Sequence, residues 1–411
     1  MKHAIRTCCL LVLALSGYCQ KADTPYVIMI SFDGFRYDYV DKFNAPHFKR
    51  FRMNGTQAEA LIPVFPSKTF PNHYSIVTGL YAGHHGLVDN NFFDPHRNEF
   101  YEMKNTARKT DPYYYGGKPL WKLAREQGVK SASFFWVGSE LPQPGLHPDY
   151  YYPYDDTIPD TVRVRQVINW LKLPEKERPH LITLYFSSPD HEGHTYGPSS
   201  TETRNAVLHA DQMVGKLRKA IEAIPLPVNI IIVSDHGMEE LTENPETYIF
   251  LDDILDRSDT TIKVSNGGTQ AHVYINNKSK VDSIYRRLKT GSKKYSVYTA
   301  DEFPSHWHYS STRAGDILMT ANQGFYIVTQ EKKSFLSSIK TGKYFGAHGY
   351  DASVVKNMRG IFYAMGPNIK SGKKIPAFEN IHIYPFIASL LGLTTPVVDG
   401  DPRVLKDIIV R

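Results

Sequence analysis

The chain has 411 residues, with 48 Lys and Arg against 42 Asp and Glu and 41% hydrophobic residues, which suits one large α/β domain with an insertion and excludes a disordered or low-complexity protein. The formal charge of +6 falls by two when Lys2 and Arg6 of the N-terminal leader are set aside. With no basic cluster interleaved with aromatics, that mild excess fits a small anionic substrate and argues against specific nucleic-acid binding. All three cysteines, Cys8, Cys9 and Cys19, fall before residue 20, so the chain beyond the leader has no disulfide or thiol chemistry to draw on.

In chain order, Lys2 and Arg6 precede an apolar run from Cys8 to Leu15 and then small residues, the pattern of a secretory signal at residues 1–19, cut before Gln20. The run is too short to span a bilayer. The expectation is an exported protein, periplasmic or secreted; a lipid anchor on Cys19 is the rival, disfavoured by the bulky Tyr18. From residue 24 onward one domain is expected. Tyr26 to Phe32 reads as a buried strand ending at Asp33. Phe65 to Gly79 reads as a loop turning into a short helix, with Thr69 at its start, Pro71 in its first turn and Gly79 at its stop. A helix from Val162 to Leu171 leads through Pro174 and Pro179 into a strand from His180 to Phe186, beyond which stand Asp190 and His194. After a Ser199 to Glu202 capping box, Val207, Ala210, Val214, Leu217, Ile221 and Ile224 recur at helical spacing. Asn229 to Ser234 then forms a strand ending at Asp235 and His236.

From about residue 260 to 340 the composition shifts, and the strand-like 272–275, 317–319 and 325–328 with the helix-like 281–288 predict a compact insertion. His348 follows in Gly346-Ala347-His348-Gly349. Arg359 to Tyr363 and Ile381 to Leu391 read as a closing strand and helix.

Short apolar runs alternating with helices point to an α/β fold with a mostly parallel central sheet, whose ligand sites lie outside the carboxyl ends of its strands. Three aspartates and three histidines, Asp33, Asp190, Asp235, His194, His236 and His348, then meet along one sheet edge, a donor set that suits a pair of zinc ions. Taken singly, each has a plainer explanation: a turn aspartate, a surface histidine, or, for Thr69, an ordinary N-cap threonine. Their joint position after buried strands favours the metal. A hydroxyl at a helix N-terminus beside a divalent cation is favoured as its alkoxide.

Lys68-Thr69-Phe70-Pro71-Asn72-His73-Tyr74, with Gly79-Leu80-Tyr81 and His85-Gly86-Leu87-Val88-Asp89-Asn90, closely resembles the nucleophile region of the nucleotide pyrophosphatase/phosphodiesterases of the alkaline phosphatase superfamily. Ser31 to Arg36, Pro189 to Pro198, Ser234 to Met238 and Gly346 to Gly349 resemble the other motifs of that family, in the same order. The resemblance implies an alkaline-phosphatase-like α/β fold with a smaller α+β insertion. It implies two Zn2+, one held by Asp190, His194 and His348, the other by Asp33, Asp235, His236 and the Thr69 oxygen. Thr69 is implied as the nucleophile and Asn90 as a donor to a non-bridging phosphate oxygen. The expected reaction is hydrolysis of nucleotide phosphodiester and pyrophosphate bonds through a phosphothreonine, releasing nucleoside 5′-monophosphates. Phe70, Trp136 and Tyr154 match positions of the substrate pocket, where an aromatic stacks against the base, and Glu140 stands where some relatives carry Asp.

A choline-phospholipid or glycerophosphodiester phosphodiesterase shares the metals and nucleophile, but Phe70 counts against it. A phosphomonoesterase would want a cation where Asn90 stands. A non-catalytic zinc-binding scaffold would have lost Thr69 or a ligand. A sulfatase needs Cys or Ser within a Cys/Ser-x-Pro-x-Arg signature, which Thr69 does not meet.

Overall fold

A computed structural model of the protein describes residues 24–290 and 293–410. The expected signal segment and Cys19 lie outside the described residues. Among those residues, no helix is long and apolar enough to cross a membrane.

Eight strands build the central sheet: β1 (Tyr26–Phe32), β2 (Thr56–Ala58), β3 (Ser131–Phe134), β4 (Tyr150–Tyr152), β5 (Leu181–Phe186), β6 (Val228–Val233), β7 (Phe362–Met365) and β8 (Lys373–Ile375). Their spatial order is β8-β2-β7-β6-β1-β5-β3-β4. Only β7 runs against its neighbours, pairing antiparallel with β6 and β2; the remaining contacts are parallel. Strand β1 shows why the sheet is buried on both faces. Val27 and Met29 belong to one apolar cluster, and Tyr26, Ile28, Ile30 and Phe32 to another on the opposite face. A parallel strand covered by helices on both sides must be apolar at every position, and β1 is buried throughout.

Helices α1 (Pro46–Asn54), α3 (Asp160–Leu171) and α5 (Thr201–Glu222) cover one face through Phe48, Phe51, Val164, Val167, Val207 and Val214. Helices α2 (Thr69–Thr78) and α6 (Ile383–Leu390) cover the other through Tyr74, Ile76, Ile383 and Phe386. The short α4 (Asp190–Tyr196) follows β5 at the sheet's carboxyl edge. The N-cap of α5 is Ser200, whose hydroxyl accepts from the Thr203 N–H at 3.1 Å, so the helix begins one residue later than a Ser199 box requires.

A separate four-stranded antiparallel sheet has the order 262–266, 270–275, 317–321, 295–299. Helix 281–289 packs Leu288 into its apolar cluster with Ala271, Val273, Ile275 and Met319. The strand at 326–328 lies elsewhere, paired with 248–250. Strand 344–347 pairs antiparallel with 239–242, setting Ala347 opposite Glu239. That pairing returns the chain to within a few residues of Asp235 and His236 and delivers His348 to them.

Candidate metal centre and nucleophile

The edge formed by the ends of β1, β5 and β6 carries the acids. Asp33 directly follows β1, Asp190 opens α4 beyond β5, and Asp235 lies just past β6. Gly34 adopts φ +64°, and a Cβ there would sit 2.9 Å from Asp190 Oδ1, so glycine lets the chain after β1 approach Asp190. Asp190 and His194 fall four residues apart on α4 and therefore on one face.

Two compact groups result: Asp33, Asp235 and His236, all buried, and Asp190, His236 and His348. His236 belongs to both, its ring stacked on His348 with centroids 3.6 Å apart. His194 lies beside the second group, its Nε2 3.4 Å from Asp190 Oδ1, while His348 Nε2 is 3.8 Å from the same oxygen. Six metal-ligand candidates thus form one continuous cluster.

The hydrogen bonds define which atoms point inward. His194 Nδ1–H donates to the Gly346 carbonyl, His236 Nδ1–H to Gly237 and His348 Nδ1–H to Ser67, each at 2.8 Å. A carbonyl only accepts, so Nδ1 carries the proton and Nε2 is left as a donor atom for a cation, the arrangement that orients metal-binding imidazoles. Among the described residues, Asp33 Oδ1, Asp190 Oδ1 and Asp235 Oδ2 are buried without a hydrogen-bond partner. Asp235 Oδ2 faces His236 Nε2 at 3.1 Å, and Asp33 Oδ1 faces the same nitrogen at 3.4 Å. Acceptors converging on acceptors in a dry site demand a positive charge between them. The residues present fit metal ions.

The electrostatics say the same. Burial, then Asp235 and Asp190, push the Asp33 carboxyl well above its ordinary range. Burial works to raise Asp235 as well, but His236 and His73 hold it well below. Burial disfavours a charged His236, and Asp235 outweighs it, so the pKa of His236 is raised. Burial, with His236, His194 and Lys68 nearby, keeps His348 well below the usual imidazole value.

Thr69 is the first residue of α2, after Lys68 in extended conformation, and Gly79 closes the helix at φ 69°. The Thr69 hydroxyl lies 3.2 Å from Nε2 of His236, the residue that the two groups share. Asn90 reaches the same helix end: its Oδ1 accepts the Phe70 N–H at 2.8 Å, which leaves the side chain's NH2 as the group able to donate. Phe70 is half-buried, its ring 6.5 Å from that of Tyr101. Tyr154 is 42% exposed, and its backbone N–H donates to Glu140, which also pairs with Lys109 at 2.9 Å. Trp136 is buried and gives its indole N–H to the His73 carbonyl at 2.9 Å, so it braces α2 from within.

A family model described as type I phosphodiesterase / nucleotide pyrophosphatase matches residues 27–351. The chain belongs to this family. Human ectonucleotide pyrophosphatase/phosphodiesterase family member 1 is 36% identical over 398 residues, covering 94% of this chain and 42% of its own length. A venom phosphodiesterase of Macrovipera lebetinus is 34% identical over 398 residues, covering 93% of this chain and 45% of the venom protein. The chain spans less than half the length of these curated relatives. The solved structure of murine ectonucleotide pyrophosphatase/phosphodiesterase 5, an inactive threonine-to-alanine form in complex with AMP, superposes with a TM-score of 0.85 at 30% identity, covering 94% of this chain and all of that one. The central sheet and flanking helices are thus the alkaline-phosphatase-like α/β fold of a type I phosphodiesterase.

The contacts of two residues of this phosphodiesterase-family site were not anticipated from sequence. The Tyr185 hydroxyl donates to Asp33 Oδ2 at 2.6 Å. His73 accepts from the Ser31 hydroxyl at 2.8 Å, while its Nδ1 faces the Thr69 carbonyl at 3.0 Å and Asp235 Oδ2 at 3.3 Å. His73 carried a usable signal, since it lies four residues after Thr69 on the same helix. Tyr185 carried none, because its partner, just past the end of β1, is 152 residues away in sequence.

Proposed function

We propose that this chain hydrolyses nucleotide phosphodiester and pyrophosphate bonds and releases nucleoside 5′-monophosphates through a phosphothreonine ester on Thr69. The observation that carries the reading is the cluster of inward-facing histidine Nε2 atoms and of Asp33, Asp190 and Asp235 oxygens that have no hydrogen-bond partner among the described residues, with the Thr69 hydroxyl 3.2 Å from His236 Nε2. Asp190, His194 and His348 are assigned to one zinc ion, and Asp33, Asp235, His236 and Thr69 to the other. When bound, the two ions supply charge neutralisation for the phosphoryl oxygens and acidify the oxygens that attack and leave.

The residues do the rest. Thr69 Oγ, held by the first turn of α2, attacks phosphorus in line as the bond to the leaving oxygen breaks. The Asn90 NH2, aimed by the Phe70 N–H on its carbonyl, donates to a non-bridging oxygen as charge develops there. Water then cleaves the threonine ester and restores the hydroxyl. Positioning and charge stabilisation dominate, as phosphoryl transfer requires. Phe70 and Tyr154 are assigned to the nucleoside, and Trp136 supports the helix that carries Thr69. The capture of AMP by the murine relative, and the printed names of the human and snake relatives, support a nucleotide substrate. Residues 24 onward are read as one catalytic domain in which about 260–340 form an inserted subdomain, supported by its own four-stranded sheet, whose apolar cluster also takes in Leu251, Tyr350 and Met358 of the flanking chain.

Turnover of the nitrophenyl ester of thymidine monophosphate, beside nitrophenyl phosphate and nitrophenyl phosphocholine, tests the reading. The nucleotide diester should be cleaved far faster than the other two. Preference for phosphocholine would move the substrate to choline phospholipids.

A further inference from the structure

Asn90 sits in a loop that the four-stranded sheet and its connections hold at nearly every residue. The Tyr309 hydroxyl donates to the Val88 carbonyl at 2.5 Å, and the Ser265 hydroxyl to the Asn91 carbonyl at 2.9 Å. The Phe93 N–H donates to the Tyr274 hydroxyl at 3.1 Å. Between them, Asp89 Oδ1 accepts the Asn90 N–H at 2.6 Å, while Asp89 Oδ2 lies 3.1 Å from His272 Nε2.

Asp89 and His272 are 1% and 0% exposed. His272 Nδ1–H donates to the Ala314 carbonyl at 3.0 Å, so both ring nitrogens are engaged and the imidazole is held between Ala314 and Asp89. A buried ionisable pair contributes little net stability compared with apolar residues of the same volume, and its best-attested benefit is a fixed register. Here the register fixed is that of Asn90, whose backbone hangs on Asp89 and whose side chain hangs on Phe70. A donor to a developing phosphoryl charge is effective only when its position is fixed in advance.

We propose that the 262–321 sheet is a clamp that positions Asn90 for the reaction, with His272 as its central positioning residue acting through Asp89. The inference rests on the role assigned above to Asn90. Among the described residues, the hydrogen bonds and ring contacts of His272 go to Asp89, Ala314, Tyr274 and Tyr309, so its effect on the reaction is transmitted through the loop.

The test is a double-mutant cycle on zinc-replete protein, reading kcat and KM for the nitrophenyl ester of thymidine monophosphate together with the melting midpoint. Asn90→Ala should lower kcat about a hundredfold, the scale of one lost oxyanion donor. His272→Leu should lower kcat about tenfold with KM nearly unchanged, as expected of a misplaced donor. Placed on Asn90→Ala, it should cost no more than about twofold further, the scatter of independent sites. His272→Gln, whose amide can still donate to Asp89, should recover most of the loss. If His272→Leu does not fold, Tyr309→Phe, which removes one hydroxyl from Val88, must show the same dependence on Asn90. Equal fold-losses in both backgrounds overturn the clamp alone. An Asn90→Ala enzyme as fast as wild type overturns the role of Asn90, and the clamp with it.

Discussion

Replacing Tyr185 by Phe removes one hydroxyl and keeps the ring, and it isolates the hydrogen bond that orients Asp33. In the folded protein Asp33 Oδ2 accepts that hydroxyl at 2.6 Å while Oδ1 faces His236. Burial, Asp235 and Asp190 all drive Asp33 toward its protonated form, and the Tyr185 hydrogen bond opposes them. Loss of a hydrogen bond to a charged group in a buried site amounts to roughly 1.5–3 kcal/mol. Since a protonated carboxyl cannot bind metal, that energy reappears as weaker affinity. The expected loss is about 10- to 100-fold in affinity for the zinc held by Asp33, in the range found for residues behind metal ligands. The loss should grow as the pH falls, because the raised Asp33 pKa lets protons compete earlier. Competition against a chelator of known affinity, read by elemental analysis at two pH values, measures it. Equal zinc retention by wild type and Tyr185→Phe at both pH values would refute the reasoning.

Thr69→Ala should abolish turnover while zinc content stays nearly intact, since six other side chains are assigned to the metals, and Thr69→Ser should keep part of the activity; wild-type turnover by the alanine form at matched metal content rules Thr69 out as nucleophile. Phe70→Ala should reduce kcat/KM for nucleotide substrates by roughly 1–3 kcal/mol equivalent while barely changing a small base-free diester; equal losses would mean that Phe70 supports α2 instead of the base. His85 is buried, donates from Nε2 to the Pro71 carbonyl and accepts the Leu87 N–H on Nδ1, and burial pushes its pKa down to about 3. Below pH ~6.5 the unfolded chain therefore binds a proton that the fold refuses, so stability falls with pH down to the folded value. His85→Gln should lose about 2–3 kcal/mol less than wild type between pH 7 and 4.5 in urea unfolding, and parallel losses would contradict it.

The acids were legible because each closes a strand apolar on both faces: Tyr26 to Phe32 matches β1 residue for residue, and β5 and β6 begin within one residue of their expected starts. Long amphipathic helices were legible for the same reason, with α3 and α5 overlapping their predicted periodic segments. The outer strands β8 and β4, and β2 next to β8, are three residues each, too short for pattern alone to register them. The 262–266 and 295–299 strands mix polar with apolar residues; the first is fixed by its hairpin partner 270–275 and the second by 317–321 across an intervening segment. Assigning 325–328 to the insertion missed its pairing with 248–250, a non-local contact with no sequence signature. Tyr185 and the Asp89–His272 pair were hidden similarly, since a hydrogen bond spanning well over a hundred residues leaves no spacing to read.

The central reading, that seven side chains including Thr69 hold two catalytic zinc ions, is tested most directly by titrating zinc into fully chelated protein while following turnover of the nitrophenyl ester of thymidine monophosphate. Activity should be absent at the start and should rise to saturation at two equivalents per chain. Saturation at a single equivalent, or full turnover before any zinc is added, would contradict it.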